Sequence, residues 1–599
     1  MMMKKKYLAT ATGILILLLL PMALQTNAYV LHILFLISIK GYFSICWNIM
    51  SGYSGQMSLG HGTFLGLGAY FSTLLCMRSG VNPWIAMLLS ALAVCLISLI
   101  LGIALFRLRE AFFALATMAL VSIAKQLMIY FKDFSNGTQG LSLPISNEGI
   151  QYIYFTNKMG YVYIGLVMLV MVLAVSAWIQ RNKLGLYLFS LRDDHDAAAS
   201  LGINTMNTKL LAMVISAFMI SMGGSLYAHY TLYIDPKIIF DPQLSMDMTV
   251  MAMLGGIGTL YGPLLGAVLL VPLDTLLRAL VGGGSWAGAD LIVYGVVLIT
   301  IIRFCPQGLL PLFQSMLAKR RSKRSSATSN EEKHSQTSWA KEEMAMHDVI
   351  CVKELGYTGP ILKVENLCVF FGGLKAVNNV NFEVKQREIF GIIGPNGAGK
   401  TTIFNAVTGF FKPTSGNVHF MGKQLKEGIR PNELAHLGLT RTFQSVKPFY
   451  KMTLRQSVMA GALIHDKDTR KASKRADSIL SMLGLQYRAD QPPTGLTIAE
   501  QKRLDMARAL AINPRLLMLD EPMAGLTDNE VNDMMVIIRR LRDHGITIVV
   551  IEHVMHAVMN LCERVIVLDH GEIIDDGAPA DVVKNPHVIE VYLGEKIDG

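Results

Sequence analysis

One feature constrains this chain before any other. Apolar segments long enough to cross a bilayer follow one another for about three hundred residues and then stop. Runs of spanning length occur near 7–24, 29–48, 61–78, 84–106, 111–131, 160–179, 209–229, 262–281 and 289–305, with a shorter glycine-rich one at about 245–258. Charge respects the same border. Of the 98 Lys, Arg, Asp and Glu side chains, 28 lie in residues 1–315, about 9% of that stretch, and 70 in the remaining 284, about 25%, the ordinary soluble share. With 52% hydrophobic residues overall, this excludes a purely soluble enzyme, a disordered chain and a secreted disulfide scaffold. The expected architecture is an N-terminal polytopic α-helical membrane domain of about ten spans, followed by a C-terminal α/β domain.

Residues 1–317 read as the transmembrane domain, 318–358 as a polar, flexible cytoplasmic linker, and 359–599 as the soluble domain. The run Tyr7–Leu24 reads as an uncleaved first span, because further spans follow at once. Lys4–Lys6, Arg107, Arg109, Arg181, Lys183, Arg192 and the cluster 319–324 belong on the cytoplasmic side of a plasma (inner) membrane. An even number of spans then leaves the soluble domain in the cytoplasm. The net charge of +10 is concentrated at membrane edges, which suits anionic lipid headgroups and not nucleic acid. The seven cysteines are scattered without a CxxC pair, so neither a zinc site nor a disulfide framework is indicated.

The soluble domain carries phosphate chemistry. Gly394-Pro395-Asn396-Gly397-Ala398-Gly399-Lys400-Thr401-Thr402 fits GxxxxGK[ST], between the strand-like Ile389–Ile393 and the helical Ile403–Val407. Glycines let backbone N–H groups curl around phosphates, and the helix start adds positive potential. Lys400 is expected to meet the β/γ-phosphates of ATP, and Thr401 to ligate Mg²⁺. The apolar run Leu516–Leu519 ends in Asp520-Glu521. Asp520 is expected to hold Mg²⁺ through water, and Glu521 to act as the general base on the attacking water.

These marks resemble the ATPase domain of ABC transporters. By that resemblance Gln444 is the glutamine that contacts Mg²⁺ and water and faces the membrane domain. His553 is the histidine that touches the γ-phosphate. Phe371 is the aromatic that stacks on adenine. The usual LSGGQ signature appears as Leu496-Thr497-Ile498-Ala499-Glu500. Thr497 keeps the hydroxyl that meets the opposite subunit's γ-phosphate. Ala499 replaces a glycine, and Glu500 is expected to bring a negative charge near an anionic ligand. Thr527 stands where aspartate is common, with Asp528 one place on.

In the membrane half, Asn48–Tyr70 and Leu254–Gly262 are two glycine-rich interruptions that favour broken helices or close helix contact. Lys40, Lys125, Asp247 and Asp274 are costly intramembrane charges with no role legible in the sequence. Ser51–Tyr70, Phe106–Leu120, Asn136–Leu141, Leu191–Asn204, Lys209–Ala228 and Met253–Leu269 resemble the permease subunits of branched-chain amino-acid (Liv-type) importers. Phe371–Val377 and His587–Gly594 resemble the ATPase of the same family, so the chain is similar to a permease fused to its ATP-binding subunit. The resemblance makes Arg192–Gly202 a coupling helix that docks on the ATPase near Gln444. It implies a second permease, a second ABC ATPase and an extracytoplasmic solute-binding protein, with a homodimer as the alternative. The implied function is ATP-driven import of branched-chain or other hydrophobic amino acids. Import of urea, short amides or another small solute remains open, as does an exporter half-transporter.

Overall fold

The computed structural model describes residues 27–281 apart from 109 and 144–147, residues 357–593 apart from 467, and short pieces at 21–22 and between 292 and 316. The expected spans at 7–24 and 289–305 and the linker at 318–358 lie largely outside the described residues. The chain forms two compact units. One comprises Met1–Leu188 with Met206–Glu332, the other Phe189–Thr205 with Lys333–Gly599.

The first unit is helical. Its principal helices are α1 (Ala28–Trp47), α2 (His61–Ser79), α3 (Pro83–Leu105), α4 (Glu110–Tyr130), α5 (Met159–Arg181), α6 (Lys183–Asp193, whose last residues pass to the second unit), α8 (Thr205–Thr231), α9 (Pro242–Gly255) and α10 (Gly262–Val281); α7 (His195–Ser200) belongs to the second unit. Among the described residues, five helical stretches are long and apolar enough to cross a membrane: Ala28–Gly52, Pro83–Leu105, Ala111–Tyr130, Met159–Arg181 and Thr205–Thr231. Apolar composition over more than 18 residues dictates this, since in hydrocarbon only a helix satisfies its own backbone.

The glycine-rich interruption after α1 has a specific geometry. The helix widens into a π-turn at Asn48–Gly52, unwinds, and resumes at His61. A Cβ at Gly52 would lie 1.8 Å from the Asn48 Oδ1, so any side chain there would displace the Asn48 carboxamide. The Asn48 carboxamide then reaches the other interruption, donating to the Thr259 carbonyl (3.0 Å) and accepting from the Gly258 N–H (2.7 Å). The two glycine-rich breaks are thus one joined element. Trp47 Nε1 donates to the Ser58 carbonyl (2.6 Å), and buried His61 bonds Ser58 Oγ (3.0 Å) and Ser216 Oγ (2.9 Å). Such partners are what unwound backbone at membrane depth requires.

The second unit is α/β. Its strands are β1 (Leu362–Phe371), β2 (Leu374–Val384), β3 (Ile389–Ile393), β4 (Ser415–Phe420), β5 (Lys423–Gln424), β6 (Leu439–Arg441), β7 (Leu516–Asp520), β8 (Thr547–Ile551), β9 (Arg564–Asp569) and β10 (Glu572–Gly577). One sheet has the order β10-β9-β3-β8-β7-β6 and the other β2-β1-β4-β5. Strands β3, β7 and β8 are buried along their whole length, as continuous apolar strands of a parallel sheet covered on both faces should be. Strand β8 pairs in parallel with both neighbours, aligning Ile551 with Ile392 of β3 and with Asp520 of β7. The phosphate loop after β3 and the carboxylates after β7 therefore emerge at the same carboxyl edge, where α/β sheets bind ligands.

Candidate nucleotide site and its coupling segment

Helix α11 (Lys400–Val407) starts directly from the glycine loop. Its N-cap, Gly399, has φ +100°, and a Cβ there would stand 2.5 Å from the Ala376 carbonyl. A side chain is excluded twice over. Lys400 Nζ donates to the carbonyls of Gly394 (2.6 Å) and Pro395 (2.7 Å), folding the ammonium over the loop. Burial pushes the Lys400 ammonium below its ordinary value, and Glu521 and Asp520 oppose that shift. Asn396, Gly397, Gly399, Lys400, Thr401 and Thr402 line a pocket of about 450 Å³ together with Phe371, Gln444 and Glu521. Phe371 is about half exposed there and stands edge-on to Phe411, with centroids 5.6 Å apart.

On the other side of the pocket, Gln444 Nε2 donates to Glu521 Oε2 (3.0 Å), and His553 Nδ1 lies 3.9 Å from the same oxygen. Glu521 has φ +47°, uncommon for a residue with a side chain, and its N–H is held by the Ile551 carbonyl at 3.0 Å. Asp520 is buried. Its Oδ2 accepts from Arg441 Nη2 (3.0 Å), while its Oδ1 has no hydrogen-bond partner among the described residues. Burial pushes the Asp520 carboxyl above its ordinary value, and Arg441 is the main opposing influence.

Two side chains that sequence reasoning passed over complete this network. Arg441, itself buried, sits among the rings of Phe404, Phe410 and Phe443, 4.9–5.8 Å from their centroids. It is the charge partner of Asp520. Lys502, in helix α12 (Ile498–Leu510), donates to the carbonyls of Gln444 (2.9 Å) and Glu521 (2.8 Å). It therefore ties the signature helix to both residues that face the reacting phosphate in the expected scheme. Neither stands in a motif that distinguishes it from a solvated basic residue.

In the signature, Glu500 is tied into the start of its own helix. It is the third residue of α12, where its Oε2 accepts from the Thr497 N–H (2.8 Å) and Arg488 Nη1 (3.3 Å), and its Oε1 accepts from the Tyr487 hydroxyl. Thr497 Oγ1 in return accepts from the Glu500 N–H (3.2 Å). This reciprocal cap satisfies two backbone donors at the helix start. Thr497 does not line the Lys400 pocket; its hydroxyl faces its own helix end.

The second unit also contains the segment between α6 and α8. Asp194 caps α7 through the Ala197 N–H (2.8 Å), and its Oδ2 lies 2.9 Å from Lys447 Nζ. Lys447 also lies 3.7 Å from Asp196. The Lys451 N–H donates to Asp193 Oδ2 (3.1 Å), and Thr440 Oγ1 donates to the Ser200 carbonyl (3.3 Å). The stretch 444–451 thus contacts Glu521 at one end and this segment at the other.

Three family models match the chain in order. Residues 29–302 match the permease component of the branched-chain amino acid transport system, 377–524 match the ABC transporter family, and 574–598 match the branched-chain amino acid ATP-binding cassette transporter family. The high-affinity branched-chain amino acid transport ATP-binding protein LivG of Salmonella typhimurium is 40% identical over 252 residues, 39% of this chain and 98% of that protein. The chain belongs to the branched-chain amino-acid ABC transporters. BraF of Pseudomonas aeruginosa, of the same description, is 38% identical over 252 residues, 39% of this chain and 98% of its own length. The probable LivG of Methanocaldococcus jannaschii is 34% identical over 255 residues, 40% of this chain and 99% of its own length. These relatives match the ATPase portion alone, and here it follows a permease in one polypeptide. The transporter is a membrane protein with a cytoplasmic ATPase that binds ATP and couples its hydrolysis to transport. ABC transporters of this kind work as dimers with other subunits and a substrate-binding protein.

Proposed function

We propose that this chain is the fused permease–ATPase subunit of an importer that carries branched-chain and other hydrophobic amino acids into the cytoplasm. The observation that carries the reading is the stretch 444–451. Gln444 holds Glu521, and Lys447 and Lys451 hold Asp194 and Asp193 of a segment lying between two apolar helices in the sequence. A shift of Gln444 on ATP binding would reach that segment with no intervening side chain. The relatives' names support the substrate class.

In this scheme the Lys400 ammonium leaves the Gly394 and Pro395 carbonyls for the β/γ-phosphates, and Phe371 stacks on adenine. Glu521 accepts the proton of the attacking water, and Gln444 and His553 orient that water and the γ-phosphate. Mg²⁺ is a cation bound by few protein ligands plus substrate phosphates. Thr401, Gln444 and Asp520 would hold it, and the unpartnered buried Oδ1 of Asp520 fits a metal-bound water. Mg²⁺ there would neutralise charge on the phosphates. Thr497 would meet the γ-phosphate bound to a second ATPase subunit, either a separate protein or a second copy of this chain.

Reconstituted vesicles containing the chain, its partner subunits and the binding protein provide the test. ATP-dependent uptake of labelled leucine, competed by isoleucine and valine but not by urea, is the expected result. Uptake of urea with no competition by leucine overturns the substrate class. Mass measurement of the solubilised complex separates the hetero-complex from the homodimer.

A further inference from the structure

Lys40 and Asp247 are far apart in sequence, yet the fold brings them face to face. Lys40 lies in α1, within the apolar stretch Ala28–Gly52, and Asp247 lies in α9, which packs against α1. Lys40 Nζ is 3.7 Å from Asp247 Oδ2, longer than a hydrogen bond, and 24% and 23% of the two side chains remain exposed. Gln243 Nε2 donates to the other carboxylate oxygen at 3.0 Å. An ion pair that serves packing is closed and covered, since only close contact offsets the desolvation of two charges. This one is open and partly exposed. Charges within apolar spans face protein or a watery path, not lipid. The pair also lines a pocket whose other walls are chiefly apolar, including Phe43 from α1, Leu65 from α2, and Met248 and Met251 from α9.

We infer that Lys40 and Asp247 form a transit site for an amino-acid zwitterion, the α-carboxylate on Lys40 and the α-ammonium on Asp247, with the aliphatic side chain against Phe43, Leu65, Met248 and Met251. A zwitterion matches the pair charge for charge and exchanges one loose ion pair for two. A neutral solute such as urea gains nothing that offsets separating the charges. Methionines are flexible enough to accept leucine, isoleucine and valine alike, so the site recognises the class without ranking its members. In this structure the space between the walls is about one water molecule in size, so α1 and α9 must part for substrate to enter. The inference rests on the amino-acid reading above.

The test is leucine uptake by the complete reconstituted complex with its binding protein, normalised to inserted protein. The variants are Lys40→Gln, Asp247→Asn and the doubly apolar Lys40→Met with Asp247→Leu. All three are expected to lose uptake by at least about tenfold, the worth of one charge-assisted contact. A structural pair behaves differently: removing one partner strands a charge, whereas replacing both with apolar side chains is neutral or stabilising. Uptake by the double variant within about threefold of wild type therefore overturns the inference. So does either single variant that transports like wild type. Wild type moving another solute under ATP but not leucine overturns the amino-acid reading, and the inference with it. That outcome is told apart because it appears before any substitution is made.

Discussion

The nucleotide site and the interior of the membrane unit handle polar groups in opposite ways. Around Glu521 the charges are locked: Gln444 holds the carboxylate, Lys502 holds two backbone carbonyls, and Arg441 closes on buried Asp520 at 3.0 Å. In the membrane unit the polar groups are mostly hydroxyls and carboxamides that seal broken helices, such as Asn48 across Gly258 and Thr259. The Lys40–Asp247 ion pair there stands at 3.7 Å. The difference follows from the ligands. ATP is one molecule with fixed charge positions, which a preorganised network can match. A path that must also release its solute needs few committed contacts.

The comparison breaks first at Glu521. Glu521→Gln keeps the shape but cannot accept a proton, so hydrolysis should fall by about 10²- to 10⁴-fold while ATP still binds. Hydrolysis within about threefold of wild type removes Glu521 from the base role. Arg441→Met comes next, because it leaves the Asp520 carboxylate buried without its cation. The expected cost is about 3–5 kcal/mol, read as a lower unfolding midpoint of the ATPase unit in the solubilised chain. An unchanged midpoint would mean that Asp520 is compensated elsewhere. Lys502→Met should lower turnover by about ten- to a hundredfold with ATP binding retained, since a small misplacement of Gln444 and Glu521 suffices for that. Equal loss of binding and turnover would make Lys502 part of general stability instead. The smallest effect concerns the signature. Glu500 is already tied to Arg488 and its own helix, so Glu500→Gln should change hydrolysis by less than about twofold, with a slight loss of helix-cap stability. A gain of about tenfold would show that its charge does reach the nucleotide.

What could be read from sequence follows the same division. Lys400, Asp520 and Glu521 were legible because each sits in a contiguous motif: the phosphate loop follows its strand directly, and the two carboxylates end another apolar strand. Gln444 and His553 followed from the family pattern. Arg441 and Lys502 were not legible, because burial alone distinguishes them from solvated basic residues. The cap that Glu500 makes was passed over, although Thr497-Ile498-Ala499-Glu500 has the spacing of a capping box. The two glycine-rich breaks were visible separately, but their union through Asn48 was not. Nor was the meeting of Lys40 with Asp247, since long-range pairing leaves no periodic trace. The segment 189–205 falls within the expected transmembrane domain 1–317 but groups by its contacts with the ATPase unit, in line with the coupling helix that the resemblance put at Arg192–Gly202.

The central claim is that the stretch 444–451 links hydrolysis at Glu521 to the segment that carries Asp193 and Asp194. The most direct test is the number of leucine molecules taken up per ATP hydrolysed in the reconstituted complex, for wild type and for Lys447→Glu, which sets like charges against Asp194 and Asp196. The ratio should fall at least about fivefold in the variant, because like charges at this contact prise the two segments apart. A ratio equal to that of wild type would contradict the link.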